Sequence, residues 1–221
     1  MEIIKPTFII ETEINPEHIL HGIEWTARTC YKSHDKITRD SSEKLVSSLI
    51  KRGHEAMLEH ESITVRFICD RGVSHELVRH RLASFAQEST RYCNYSKDKF
   101  NNELTFIEPN TAFNYDLHTN NTDTLKYLTW LNCMREIEKK YLYMIYELGA
   151  APEEARSILP NSLKTEIVVT ANLREWRKIL QLRTAKDAHP QMREIMLPLL
   201  QELKQKLPII FDDIGGTDVN E

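Results

Sequence analysis

Arg79, His80 and Arg81 stand side by side, and Ser84, Ser89, Thr90 and Arg91 follow within ten residues. A guanidinium is a planar, permanently charged fork that grips phosphate or carboxylate through two parallel hydrogen bonds. Mixed with the hydroxyls and the amide of Gln87, such forks suit an anionic, hydrogen-bonding small molecule such as a nucleotide. A solvated charged face is the plain alternative. Neighbouring residues on a helix point about 100° apart, however, so these three cannot share one solvent stripe. They also run straight into a hydroxyl-rich loop, and hydroxyls and backbone N–H groups beside a helix end bind anions readily.

Other groups add to this set. Asn172 opens a helix after an apolar strand and is sufficient as its cap. Arg174 in the first turn opposes the helix dipole, which points to an anionic partner close by. Arg183 ends the same segment and His189 follows; Arg156 sits beside Glu153 and Glu154 and could pair with them. His54, Glu59 and His60 lack the four-residue spacing of a zinc helix, so a structural or cofactor-lining role is expected and no metal. Ser89 has no G-x-S-x-G elbow around it. Neither G-x-G-x-x-G nor G-x-x-x-x-G-K occurs, so any dinucleotide must be held by arginines and side-chain amides.

The chain has 221 residues, 41% hydrophobic and 28% charged, with a formal charge of −4. That is enough for one sizeable core, or at most two small domains, and the charge argues against a generic nucleic-acid coat. No apolar run approaches the roughly 20 residues of a membrane span. The start, Met1-Glu2-Ile3-Ile4-Lys5-Pro6, lacks the features of a secretory signal, so a cytoplasmic location is expected. Cys30, Cys69, Cys93 and Cys133 show no C-x-x-C spacing and are expected as free thiols.

The elements that would position these groups can be placed coarsely. Asn15-Pro16 starts a helix through Ile19, Leu20, Ile23 and Ala27. A second opens near Asp40-Ser41, carries Leu45, Val46, Leu49 and Ile50, and ends before Gly53. Ser62 to Cys69 alternates as a half-buried strand. Ser74 is expected to cap a short helix that carries Arg79, His80 and Arg81 and ends near Phe85, leaving residues 87 to 91 as a loop. Residues 104–107 form a strand. A long helix spans about 122 to 148, with Leu125, Leu128, Leu131, Ile137, Tyr141 and Ile145 inward. A short helix starts at Pro152, a strand covers Glu166 to Ala171, and helices run from Asn172 to Leu182 and from Pro190 to Leu207. A single α/β (α+β) domain spanning 1–221 results, with residues from about 209 onward expected as a poorly ordered tail.

The string Arg79-His80-Arg81, Ser84, Ser89 and Arg91 resembles the signature of the flavin-dependent thymidylate synthases. Gly53-His54-Glu55 with Glu59-His60 resembles the family's upstream segment. Ala155-Arg156, Ile158-Leu159-Pro160, Asn172-Leu173-Arg174 and Leu182-Arg183 resemble its downstream segments, in order, so the likeness covers about Ala27 to Ile195. It implies a homotetramer with sites shared between subunits and a curved, largely antiparallel sheet flanked by helices. It also implies FAD as cofactor and conversion of dUMP to dTMP, with NADPH and 5,10-methylenetetrahydrofolate as co-substrates. Carried over, Arg79, His80, Arg81, Gln87, Asn172, Arg174 and His189 would contact FAD. Glu76, Arg79, Gln87, Glu88, Ser89, Thr90, Arg91, Arg156 and Arg183 would bind dUMP, with Arg183 and Ser89 catalytic. The chain departs from the pattern at Ala56, at Lys178 and in two extra residues between Arg183 and His189. A nucleotide-binding or arginine-rich nucleic-acid-binding protein without flavin chemistry is the alternative.

Overall fold

The computed structural model describes residues 1–109, 118 and 121–215, apart from the side chain of Lys99. In chain order the elements are β1 (Glu2–Ile4), β2 (Thr7–Ile10), α1 (Pro16–Thr29), α2 (Ser41–Lys51), a 3-10 helix (Glu55–His60), β3 (Ser62–Asp70), α3 (Arg71–Leu77) and β4 (Ala83–Gln87). There follow β5 (Thr105–Ile107), α4 (Thr122–Tyr146), α5 (Pro152–Ala155), β6 (Lys164–Asn172), α6 (Leu173–Arg183), α7 (Pro190–Lys206) and α8 (Pro208–Phe211). Helix and sheet are mixed, with an antiparallel four-stranded sheet in the order β2-β3-β6-β4. A separate pair, β1 with β5, is parallel and sets Glu2 opposite Thr105. No helix among the described residues is long and apolar enough to cross a membrane.

The chain divides into two compact units. The first comprises Met1–Thr7, Phe67–Arg79 and Ala86–Val168; the second comprises Phe8–Arg66, His80–Phe85 and Val169–Glu221.

In the first unit the core gathers Tyr95, Leu104, Phe106, Met134, Tyr141, Ala155 and Leu163. Helix α4 starts where Asn121 accepts a hydrogen bond from the Thr124 N–H at 2.8 Å. Its buried face is Thr124, Tyr127, Met134 and Tyr141, and Leu125 and Leu128 are 52% and 39% exposed. The expected inward face therefore fails at Leu125 and Leu128 and holds at Tyr141, with Ile137 and Ile145 partly buried against the same core. Tyr127, Met134 and Tyr141 repeat every seven residues and so share one side of the helix. The leucines repeat equally well on another side, and only the position of the core chooses between them.

The second unit is built by helices on strand ends. Asn15 and Asn172 cap α1 and α6 as their types suggest, each accepting from the N–H three residues on. Trp176 of α6 is fully buried and donates its indole N–H to the Ile63 carbonyl of β3 at 2.9 Å. Ile63 and Val65 are fully buried, as the alternation of β3 requires. Glu24, also fully buried, is held by Arg28 at 2.8 Å and by the Ser41 hydroxyl at 2.9 Å, so its burial is compensated. Gly53 stands at φ +70°, just past α2, in the left-handed region a helix exit favours.

Three expectations fail locally. Helix α3 is capped by Asp70, whose Oδ1 accepts from the Val73 N–H at 2.8 Å, and Ser74 lies buried inside it. The helix then ends at Leu77, so Arg79, His80 and Arg81 belong to the turn that follows, and Ala83–Gln87 is a strand rather than helix and loop. The segment from 209 is no loose tail as far as it is described: α8 buries Ile210 and Phe211, and Ile214 is buried behind it. Residues 216–221 of that expected tail lie outside the described residues.

Candidate functional site

In the first unit, polar groups collect where β4 runs into the loop that follows. The Gln87 amide donates to the Ser74 hydroxyl at 2.9 Å and to the Thr165 hydroxyl at 3.2 Å. Arg71 reaches the same Thr165 hydroxyl at 3.4 Å. The next residue anchors the loop. The Glu88 N–H donates to the Glu166 carbonyl at 2.9 Å, and its carboxylate accepts from the Tyr95 hydroxyl at 3.0 Å, Lys164 Nζ at 3.1 Å and the Glu166 N–H at 3.2 Å. Burial pulls the Lys164 ammonium down, but Glu166 and Glu88 outweigh it and hold its pKa above the ordinary lysine value. Burial, with Glu88 next in weight, pushes the Tyr95 phenol far up, so it remains a donor.

Beyond Glu88 the loop turns on Ser89. Its carbonyl accepts from the N–H groups of Tyr92 and Cys93, and its hydroxyl accepts from the Arg91 N–H at 3.3 Å. Thr90 is buried, while the Arg91 guanidinium is exposed and lies 5.2 Å from the centre of the Tyr92 ring. Arg79 and Arg156 are exposed, and Glu76 is half-buried. Pairing of Arg156 with Glu154 is not seen; that carboxylate instead accepts from the Ala151 N–H at 2.7 Å. Arg79, Arg91 and Arg156 thus form no ion pair among the described residues.

The second unit holds the rest. His80 is 6% exposed, and its Nε2 accepts from Arg183 Nε at 3.0 Å, while its Nδ1 lies 3.5 Å from Glu175 Oε1. Burial, then the positive charges of Arg183 and Lys178, lower the imidazole to about 4, so it is neutral at ordinary pH. Arg81 is exposed. His189 is exposed as well and caps α7, its Nδ1 accepting from the Gln191 N–H at 3.3 Å.

A cleft of about 460 Å³ opens beside α6, lined by Asn172, Arg174, Lys178 and Gln181 with Leu82 as an apolar wall. Its volume is that of a small-molecule site. Three of the four acidic residues that line it, Glu55, Glu59 and Asp213, are spoken for. Glu59 pairs with Arg174, and Glu55 and Asp213 both bind Arg177, Asp213 through two bonds of 2.7 Å. The Arg174–Glu59 pair is about half exposed on both sides, so it is weak and readily surrendered to an anion. Guanidinium, ammonium and amide donors beside an apolar wall match the chemistry of a flavin nucleotide, with phosphate at one end and ring carbonyls at the other.

Of the residues read from the sequence, the fold therefore joins His80 with Arg183, and Asn172 with Arg174, and uses Glu88 and Ser89 to build their own loop. Lys164, Thr165, Tyr95 and Glu175 were missed. Lys164 and Glu166 share one face of β6, which alternation could have revealed; the partners of Tyr95 and Glu175 left no signal.

Comparison with known proteins agrees with this chemistry. Among solved structures, a UMP/dUMP methylase, PolB from Streptomyces cacaoi bound with 5-Br dUMP, has the same fold, with a TM-score of 0.77 at 20% identity over 96% of each chain. Residues 15–209 match the family described as thymidylate synthase complementing protein. The flavin-dependent thymidylate synthase of Pyrococcus furiosus is 34% identical over 194 residues, 85% of this chain and 75% of that protein. That of Corynebacterium aurimucosum is 29% identical over 198 residues, 88% and 80% of the two chains. The chain belongs to the family of flavin-dependent thymidylate synthases.

Proposed function

We propose that this chain reductively methylates dUMP at C5 to give dTMP, with FAD as cofactor, 5,10-methylenetetrahydrofolate as carbon donor and NADPH as reductant. The observation that carries the reading is the family match, which spans every polar motif from His54 to Arg183 and reaches relatives named for this activity. We further propose that the chain acts as one domain in a cytoplasmic homotetramer whose subunits share their sites.

FAD, when bound, supplies hydride and electron transfer; everything else falls to the side chains. Asn172 and Arg174 hold the flavin in the cleft beside α6, with Arg79, His80, Arg81, Gln87 and His189 completing its contacts. The exposed guanidinium groups of Arg91 and Arg156 take the phosphate of dUMP as charge-assisted forks. Gln87, Glu88, Ser89 and Thr90 supply the loop around the nucleotide, and Glu76 and Arg79 flank it. Arg183 lies against the uracil edge, where a fixed cation favours the enolate-like charge of the activated ring. Ser89 is the second residue at the reacting ring.

Reconstitution tests this assignment. Protein incubated with FAD and desalted should stay yellow, and dUMP should perturb the flavin absorbance. A colourless protein that binds nucleic acid with a steep salt dependence would support the arginine-rich alternative instead.

A further inference from the structure

Glu175 is 3% exposed, and its Oε1 has no hydrogen bond of ordinary length among the described residues. It is the third residue of α6 after the Asn172 cap, and its own N–H already donates to Asn172 Oδ1 at 2.9 Å. A glutamate there ordinarily folds back onto the N–H of the capping residue. Here Oε1 is turned toward His80 Nδ1 at 3.5 Å, with Lys178 Nζ 3.9 Å from Oε2. A carboxylate buried so deeply is costly unless something uses its charge.

His80 shows what that use is. Its Nε2 accepts from Arg183 Nε, and a guanidinium can only donate, so Nε2 carries no proton. In a neutral imidazole the proton is then on Nδ1, the nitrogen that faces Glu175. We propose that Glu175 is a positioning residue for Arg183. Through the His80 ring it selects the Nδ1–H tautomer, and the unprotonated Nε2 pins the guanidinium by its Nε and fixes the direction of the fork. The groups that face the ring from α6 are Glu175, Lys178 and Arg183. Burial and the two cations keep the ring neutral, without which it would repel the arginine it holds.

The inference rests on the proposed role of Arg183 in the reaction, and its test separates the two. Imidazole 15N shifts of the wild-type protein at pH 7 should show His80 with Nδ1 protonated and Nε2 bare. In Glu175→Ala the ring should become a mixture of tautomers, and kcat for dTMP should fall at least about tenfold, the worth of one hydrogen bond to a charged group. The KM for dUMP should change much less. Glu175→Gln, whose amide oxygen can still accept from Nδ1–H, should restore most of the tautomer and of the rate. A wild-type His80 protonated on Nε2 overturns the proposal even if Glu175→Ala does not fold. Unchanged ring shifts in a folded Glu175→Ala variant overturn it equally. If the ring behaves as described and wild-type protein makes no dTMP, the arrangement of Glu175, His80 and Arg183 stands and the proposed reaction falls.

Discussion

Replacing Glu88 by alanine should unfold the loop that begins at Gln87 before it touches any chemistry. The side chain is 11% exposed and holds three donors, the Tyr95 hydroxyl, the Lys164 ammonium and the Glu166 N–H. Tyr95 is 4% exposed and belongs to the core of the first unit, so its hydroxyl would be left buried without an acceptor. Lys164 would keep Glu166 at 2.8 Å but lose its better-buried partner. Leaving the Tyr95 hydroxyl without an acceptor costs about 1–3 kcal/mol and losing the charge-assisted bond from Lys164 about 1.5–3 kcal/mol, so that together they cost roughly 3–5 kcal/mol. In a chain of this size the loss corresponds to a Tm lower by roughly 6–20 °C. Glu88→Gln keeps an acceptor for Tyr95 and should lose about 1–2 kcal/mol, the charge-assisted part of the Lys164 bond. The double variant Glu88→Ala with Lys164→Met removes both charges and should be more stable than Glu88→Ala alone. Urea titration at pH 7 on all of these, with thermal melts, measures each term. A Glu88→Ala protein within about 1 kcal/mol of wild type, or single effects that simply add in the double variant, would refute the claim that this carboxylate is the post of the loop.

Arg91→Ala should weaken dUMP binding by about 1.5–3 kcal/mol with the melting temperature unchanged, because the guanidinium makes no ion pair among the described residues; calorimetric titration decides it. Arg177 holds the Ile210 carbonyl, Glu55 and Asp213, so Arg177→Ala should release α8, seen as faster hydrogen exchange over residues 208–215. Its hydrogen bond, and then its charge, depress the Asp213 carboxyl below the ordinary 3.8. That contribution is present above 3.8 and fades as the pH falls below it, and the exchange should accelerate in the same window. His80 is shifted the other way for a base. Its pKa falls from the ordinary 6.5 to about 4, so between those values the unfolded chain takes up a proton that the folded one refuses. Stability should therefore be full above 6.5 and decline as the pH drops toward 4, and His80→Gln should flatten that slope in pH-dependent urea midpoints.

Much of this arrangement was legible in single residues, and the remainder was not for identifiable reasons. The asparagine caps at 15 and 172, the exit glycine at 53 and the alternation of residues 62–69 are local signals, and each element formed where its signal stood. Helix α3 was misplaced because Asp70, which follows the strand read over residues 62–69, is the cap. Residues 83–87 alternate only between exposed and half-buried, too faint a pattern to announce a strand. The arginine-histidine-arginine run was expected on a helix and lies beyond its end. In the turn after α3 the histidine goes inward while the arginines on either side stay exposed. Glu88 and Lys164 lie 76 residues apart, and no spacing rule connects them. Glu175 was hidden by its own position, where a glutamate after an asparagine cap reads as capping and nothing more.

Turnover puts the central claim to the most direct trial. Protein reconstituted with FAD should convert dUMP to dTMP when given NADPH and 5,10-methylenetetrahydrofolate, and Arg183→Ala should retain bound flavin yet form no dTMP. Absence of dTMP from flavin-loaded wild-type protein, or near-normal turnover by Arg183→Ala, would contradict the account.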